Sequence, residues 1–341
     1  MRREIKLMLI VDGLFLLYVL SQVVDLISLL SDEAWRERLS EPELRPVEYS
    51  QDSSGNLIPD RELLIPKIIH QTYKSEEIPE RWEPLQKSCK EGNADYEYIL
   101  WTDASAEQFI RDNYVWFLDT YLSYPYTIMR ADVIRYFALY HYGGIYIDLD
   151  CGCEQPLDTL LTFPSWYRKT DPTGISNDVI GSMKNHPFLK YVIDNLKKYN
   201  RNWIISYLTV MYSTGPLMLS VLWKKYLSSD HPQGADVRVL YPPEWDKHTA
   251  YFFKDYTGST WHQGDAQFVL FLGDHIFMTV IVSTLLVLAL LYCQFLFYQF
   301  LVSRSFRRFY WTLRSAASEY FLRKRSRITV ESLPLNERDV L

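Results

Sequence analysis

Residues 129–153 read MRADVIRYFALYHYGGIYIDLDCGC, which divides into a helix, a turn and a strand. From Ile128 to Tyr142 the apolar residues Ala131, Ile134, Phe137 and Ala138 recur at helical spacing, while Arg130, Asp132 and Arg135 mark a polar side near its start. Gly143 and Gly144 end that helix. Ile145 to Leu149 is β-branched and aromatic and reads as a buried strand, with Asp148 and Asp150 at its carboxyl end. Residues two apart on a strand face the same way. The fold class read from this stretch is α/β, and ligands of an open α/β sheet sit outside the carboxyl ends of its strands. Two carboxylates projecting there form a hard-oxygen site for Mn²⁺ or Mg²⁺. A bare Asp-x-Asp is more often a pair of solvated turn acids, so its context has to carry the inference.

That context is Arg-Ala-Asp-x-x-Arg-Tyr at 130–136 followed by Gly-Gly-Ile-Tyr-Ile-Asp-Leu-Asp at 143–150. It resembles the DXD glycosyltransferases related to yeast-type α-mannosyltransferases and to sugar-transferring bacterial toxins. The chain as a whole looks most like the catalytic subunits of fungal inositol phosphorylceramide mannosyltransferases, which are of the glycosyltransferase family 32 type. The resemblance implies a GT-A-like nucleotide-sugar transferase domain and covers about residues 65 to 265.

Composition sets the frame for that expectation. The chain has 341 residues, 48% hydrophobic and 23% charged, so a core can form in one large domain or two small ones. Aromatic residues make up 16%, which suits sugar stacking, a membrane-proximal surface or simply an aromatic-rich core. A net charge of −6 gives no support to a nucleic-acid partner. Four cysteines, Cys89, Cys151, Cys153 and Cys293, do not make a disulfide scaffold, and Cys151-Gly-Cys153 is not a zinc spacing. Free or partly paired thiols are the reading. The chain has no Asn-x-Ser/Thr sequon, which decides nothing about compartment.

Residues 1–30 read as a cytoplasmic end and an N-terminal membrane anchor, interrupted by Lys6, Asp12 and Asp25. Tyr18, Ser21, Gln22, Asp25 and Ser28 share one helical face, read either as a contact for another helix or, for Asp25, as a position at the membrane interface. Residues 31–64 are polar, with Pro42, Pro46 and Pro59, and read as a stem leading to a catalytic domain at 65–270. Within that domain Ile65 to Tyr73 opens as a first buried strand, and Tyr96 to Trp101 as a second. Leu160 to Tyr167 is apolar and suits either an acceptor lipid or packing under the sheet. Ile276 to Tyr298 holds 23 residues without a charge, enough to cross a bilayer core, within a transmembrane helix at 274–302. The basic tail at 303–341 and the basic start, Arg2, Arg3 and Lys6, place both termini in the cytoplasm. The arrangement is thus a multi-pass membrane protein with its catalytic domain in the lumen.

The resemblance also implies roles for named residues. The donor is GDP-mannose, with Mn²⁺ or Mg²⁺ bridging its phosphates to the acid pair. Asp150 touches the metal directly, Asp148 binds a ribose or sugar hydroxyl and a metal-bound water, and His262 adds a metal ligand. Asp132 and Arg135 hold donor-sugar hydroxyls, and Asn177, with Asp178, lies near the sugar or the acceptor. His70, Gln71 and Asp103 contact the nucleotide, over which Ser259 and Trp261 close. For His70 a structural hydrogen bond stays open, for Asp132 and Arg135 a surface ion pair, and for Trp261 and His262 a place at the membrane interface. The family retains anomeric configuration, so no general base is assigned. The acceptor implied is inositol phosphorylceramide in the Golgi membrane, and the partner implied is a calcium-responsive regulatory membrane subunit. The alternatives are a Golgi glycosyltransferase acting on a glycoprotein glycan and a non-catalytic membrane subunit.

Overall fold

The computed structural model describes residues 3–170, 173–242, 252–256 and 264–303, with isolated positions between 308 and 320. Its contacts divide the chain into two units, Val24–Leu270 and the pair of segments Met1–Val23 and Phe271–Leu341. In chain order the elements begin with helix α1 (Arg3–Ile27), the hairpin β1 (Tyr49–Gln51) and β2 (Leu57–Pro59), strand β3 (Ile68–Thr72), α2 (Glu83–Gly92), β4 (Glu97–Trp101), α3 (Asp103–Asn113) and α4 (Val115–Ser123). They continue through α5 (Thr127–Tyr142), β5 (Gly144–Ile147), β6 (Cys151–Cys153), β7 (Ser165–Lys169), β8 (Ile175–Ser182), α6 (Pro187–Tyr199), α7 (Ser206–Ser213) and α8 (Pro216–Leu227). The last are β9 (Arg238–Leu240), β10 (Phe253–Asp255), α9 (Gly264–Asp274) and α10 (Ile276–Val302).

Helix α5 and strand β5 organise the larger unit. Asp132 and every α5 residue from Val133 to Leu139 are buried, so of the polar side expected near its start Asp132 and Arg135 face protein, while Arg130 is half-buried. Gly143 ends the helix at φ 75°, and its N–H donates to Leu139 O. A Cβ there would lie 2.7 Å from Pro66 Cδ, and one on Gly144 would lie 2.6 Å from Ile68 O. Only glycine lets helix and strand join this tightly.

The main sheet among the described residues has the order β4-β3-β5-β8-β7-β9. β3 runs parallel to β4 and β5, β8 is antiparallel to β5 and β7, and β9 is parallel to β7. Alternation along β5 sends Tyr146 into the core formed with α3 to α8, and Ile145 and Ile147 into a second core on the other face. That second core takes Leu160, Leu161, Phe163 and Trp166, so much of the apolar stretch near 160 packs under the sheet.

Residues 31–64 depart from the expected stem. Ala34, Leu39 and Leu44 are buried. Leu39 N–H donates to Val239 O at 2.9 Å and Val239 N–H to Glu37 O at 2.7 Å. Arg238 pairs with Glu43 at 2.7 Å, so this polar segment covers the edge strand β9 instead of spacing the domain from an anchor. Its few buried residues are too widely spaced to show a period.

Among the described residues, the helix long and apolar enough to cross a membrane is Phe277–Leu301, with a mean hydropathy of 2.4. α1 is an unbroken 25-residue helix. Within the smaller unit, Gln294 Nε2 donates to Asp12 Oδ1 at 2.6 Å, joining α1 to α10. Asp25, expected on a face for another protein's helix, pairs within the larger unit with Lys225 at 2.7 Å and accepts from Tyr199 OH at 2.8 Å.

The cysteines are partly paired. Cys89 and Cys153 form a disulfide that ties α2 to β6, while Cys151 is a buried thiol and Cys293 an exposed one. The bridge spans 64 positions of sequence and fastens the strand that directly follows the acid pair. Replacing both Cys89 and Cys153 with alanine is expected to cost about 2–5 kcal/mol. Thermal melts of the detergent-solubilised chain will show this as a lower Tm, by about 2–4 °C per kcal/mol.

Candidate active site

A cleft of about 580 Å³ opens at the carboxyl ends of β3, β4 and β5. Asp148 and Asp150 line it, together with Arg135, Asp103, Lys74, Arg81 and Trp82. The acids do not continue the strand, as their alternation suggested. They lie in the turn between β5 and β6, where Asp148 N–H donates to Asp178 O at 2.9 Å and Cys151 N–H to Asp148 O at 3.0 Å. A turn lets both carboxylates reach the cleft without a strand's fixed pleat.

Arg135 is the centre of the site. Its guanidinium lies 3.0 Å from Asp132 Oδ1 and 3.3 Å from Asp148 Oδ1, donates to Asn177 O, and sits 4.4 Å from the centre of the Tyr146 ring. Burial opposes its charge, and Asp148, Tyr146 and Asp132 more than restore it. Arg135 and Asp132 are 3% and 6% exposed at their side chains, which rules out the surface ion pair.

Asp132 also accepts from Thr214 Oγ1 at 2.8 Å and Asn177 Nδ2 at 2.9 Å. Tyr136 OH donates to Thr214 O at 2.8 Å and accepts from Asn177 Nδ2 at 3.2 Å, which closes the network. Asp132 and Asn177 are therefore hydrogen-bonded by their own chain, and neither is among the residues that line the cleft. Burial still drives the Asp132 carboxyl above its ordinary range, against the pull of Arg135, Thr214 and Asn177.

Asp148 accepts from Tyr146 OH at 2.6 Å, and that hydroxyl lies 2.8 Å from Thr72 Oγ1. Its side chain keeps 31% exposure toward the cleft. Burial of the surrounding wall pushes its carboxyl up to about 7 despite Arg135, and Asp150 adds repulsion. Asp150 is raised too, by burial and then by the charges of Asp178 and Asp255. Arg168 partly answers those two acids, at 2.9 Å from Asp178 and bidentate to Asp255.

The nucleotide contacts assigned from sequence divide. Asp103, the first residue of α3, lines the cleft beside the Thr102 cap. His70 does not reach it: the ring is fully buried, Nε2 donates to Gly143 O at 2.8 Å and Nδ1 accepts from Trp101 Nε1 at 3.2 Å. Burial drops its pKa to about 4, so it is a neutral clamp on the α5–β5 joint. Gln71 is also fully buried, with Oε1 accepting from Tyr98 OH at 2.6 Å. Ser259, Trp261 and His262 lie outside the described residues. Tyr256 N–H donates to Asp150 O at 2.9 Å.

The reading from sequence passed over Tyr146, Arg168, Lys74 and Arg81. Tyr146 had a signal, standing two residues before Asp148; the other three had none. In the metal-free protein the folded Asp148 holds a proton up to about pH 7 that the unfolded chain, with its ordinary 3.8, releases much earlier. The folded state then binds more protons in that window, so stability falls as pH rises through it and levels off above. Urea midpoints at pH 5 and pH 7.5, measured with chelator, are expected to drop less in Asp148→Asn than in wild type.

The family described as "Glycosyltransferase sugar-binding region containing DXD motif" matches residues 79–167. The mannosyl phosphorylinositol ceramide synthase CSH1 of Saccharomyces cerevisiae is 46% identical over 282 residues, covering 82% of this chain and 74% of its own. The inositol phosphoceramide mannosyltransferase 3 of Schizosaccharomyces pombe is 53% identical over 212 residues, covering 62% of this chain and 60% of its own. Among solved structures, a PaToxG glycosyltransferase aligns with 55% of this chain and 74% of its own at 16% identity and a TM-score of 0.38. With its acid pair in a cleft and kinship along most of its length, the chain belongs to the inositol phosphoceramide mannosyltransferase family of DXD glycosyltransferases.

Proposed function

We propose that this chain transfers mannose from GDP-mannose to inositol phosphorylceramide, with retention at the anomeric carbon, on a GT-A-like domain. The observation that carries the reading is the 46% identity over 282 residues to an enzyme named for making mannosyl phosphorylinositol ceramide. The cleft agrees chemically. Lys74, Arg81 and Arg135 supply positive charge for a diphosphate, and Asp103 supplies an acceptor for nucleoside hydroxyls.

A divalent ion fits the acid pair. Asp148 and Asp150 are carboxylates raised by burial and mutual or neighbouring negative charge, a state that a bound cation relieves. Among the described residues no group of three or more His, Cys, Asp or Glu is gathered for a metal, and His262, the further ligand expected, lies outside them; diphosphate and water would supply other ligands of Mn²⁺ or Mg²⁺. When bound, the ion supplies charge neutralisation for the departing diphosphate. Tyr146 and Arg135 fix Asp148 for that task, while Asp132, Asn177 and Thr214 act through Arg135 as positioning residues. With Asp132 occupied, a leaving diphosphate that takes the acceptor proton on the same face needs no carboxylate nucleophile.

The Cys89–Cys153 disulfide supports an oxidising compartment for the domain, in keeping with a Golgi lumenal site flanked by α1 and α10 as spans and cytoplasmic termini. A calcium-responsive membrane subunit belongs to the same proposal, with Tyr18, 64% exposed on α1, in its contact.

Full-length protein in membranes, given GDP-mannose and inositol phosphorylceramide, is expected to form mannosylinositol phosphorylceramide only with Mn²⁺ or Mg²⁺. Asp150→Ala is expected to lower that rate by at least about 100-fold, the scale on which removing one charge-stabilising group acts. Transfer to a glycoprotein glycan in place of the lipid would discard the acceptor and keep the enzyme class.

A further inference from the structure

A second cavity, of about 310 Å³, lies between Tyr126–Ile128, α7 and the first turn of α9. It shares Thr127 and Ile128 with the donor cleft, so the two spaces meet across the first turn of α5, the helix that also bears Arg135. Tyr126, Tyr207, Thr127, Ser206 and Asp265 are among the residues that line it, and none of its lining residues is Lys or Arg. Aromatic faces beside oxygen acceptors suit a polyol ring, with its apolar C–H faces and hydroxyl rim, and a lining without cations does not suit a phosphate.

Asp265 fixes this shape. Oδ2 accepts from Ser206 Oγ and, at 2.9 Å, from Tyr207 N–H, which caps the start of α7 with a residue of α9. Oδ1 accepts from Ala266 N–H at 2.9 Å. Just before Ser206, Ile204 is 96% exposed and held at φ 70°, with its N–H donating to Asn202 Oδ1 at 2.8 Å. A β-branched residue is costly in that conformation. This exposed, strained residue stands two positions before Ser206, which lines the cavity.

We propose that this cavity receives the polyol ring of the lipid acceptor's headgroup and presents its hydroxyl to the donor cleft across Thr127 and Ile128; the assignment rests on the mannosyltransferase reading above. In the transfer, the oxygen of the ring's hydroxyl bonds to the mannosyl C1, the C1–O bond to the diphosphate breaks, and the hydroxyl proton passes to the departing diphosphate. The acceptor's own phosphate stays outside the cavity.

The test measures initial rates of the full-length protein in vesicles containing inositol phosphorylceramide, varying lipid and GDP-mannose in turn. Tyr207→Ala is expected to raise the KM for the lipid at least about tenfold while the KM for GDP-mannose stays within about twofold, the signature of a lost acceptor contact. Tyr207→Phe, which keeps the ring, is expected to stay near wild type, and GDP-mannose binding reports that each variant is folded. An unchanged lipid KM in Tyr207→Ala, or equal changes in both constants, overturns the assignment. If wild type transfers mannose to a different polyol and not to this lipid, the functional reading falls, and the same split measured with that polyol judges the cavity.

Discussion

A single buried cation, Arg135, holds the site together. Its guanidinium lies between Asp132 and Asp148, so one end of the contact belongs to the core of α5 and the other to the turn that lines the cleft. A buried ion pair adds little net stability compared with well-packed apolar residues, yet removing one partner costs about 3–5 kcal/mol because the other charge is stranded. Such an arrangement fixes geometry more than it deepens the fold. From α5, Asn177 extends it to β8 and Thr214 to the residue that ends α7, so three segments agree on where Arg135 points before any substrate arrives.

That dependence explains which parts of the site were legible in the sequence. The helix from Ile128 to Tyr142, its glycine end and the following strand were readable because periodicity, turn chemistry and β-branched residues all point the same way there. The acid pair was readable from its motif, although it sits in a turn and not on a strand. The roles of Asp132 and Asn177 were not, because whether a polar residue meets ligand or its own chain depends on partners far away in sequence: Asn177 lies 45 positions from Asp132, and Thr214 lies 82. His70 misled for the same reason, since a histidine at a strand's end carries no local mark of the backbone carbonyl it will meet.

The cover over β9 illustrates a second limit. Residues 31–64 have the proline and polarity of a spacer, and only the exposed edge of a sheet gives them something to bind. Their backbone groups satisfy Val239, and Glu43 answers Arg238, neither of which can be seen from the segment itself. A linker and an edge cover share one composition, and the difference lies in what the rest of the chain leaves unpaired.

The His70 clamp bears on how the fold responds to acid. Its ring is neutral with both nitrogens engaged, and burial keeps it so down to about pH 4. Acidification therefore leaves the α5–β5 joint chemically unaltered. What acid changes is the competition with the unfolded chain, where an ordinary histidine takes up a proton from 6.5 downward. Between those values stability declines as pH falls. The joint thus behaves as a latch rather than a sensor: it holds one shape through mild acidification and yields only when the surrounding structure opens.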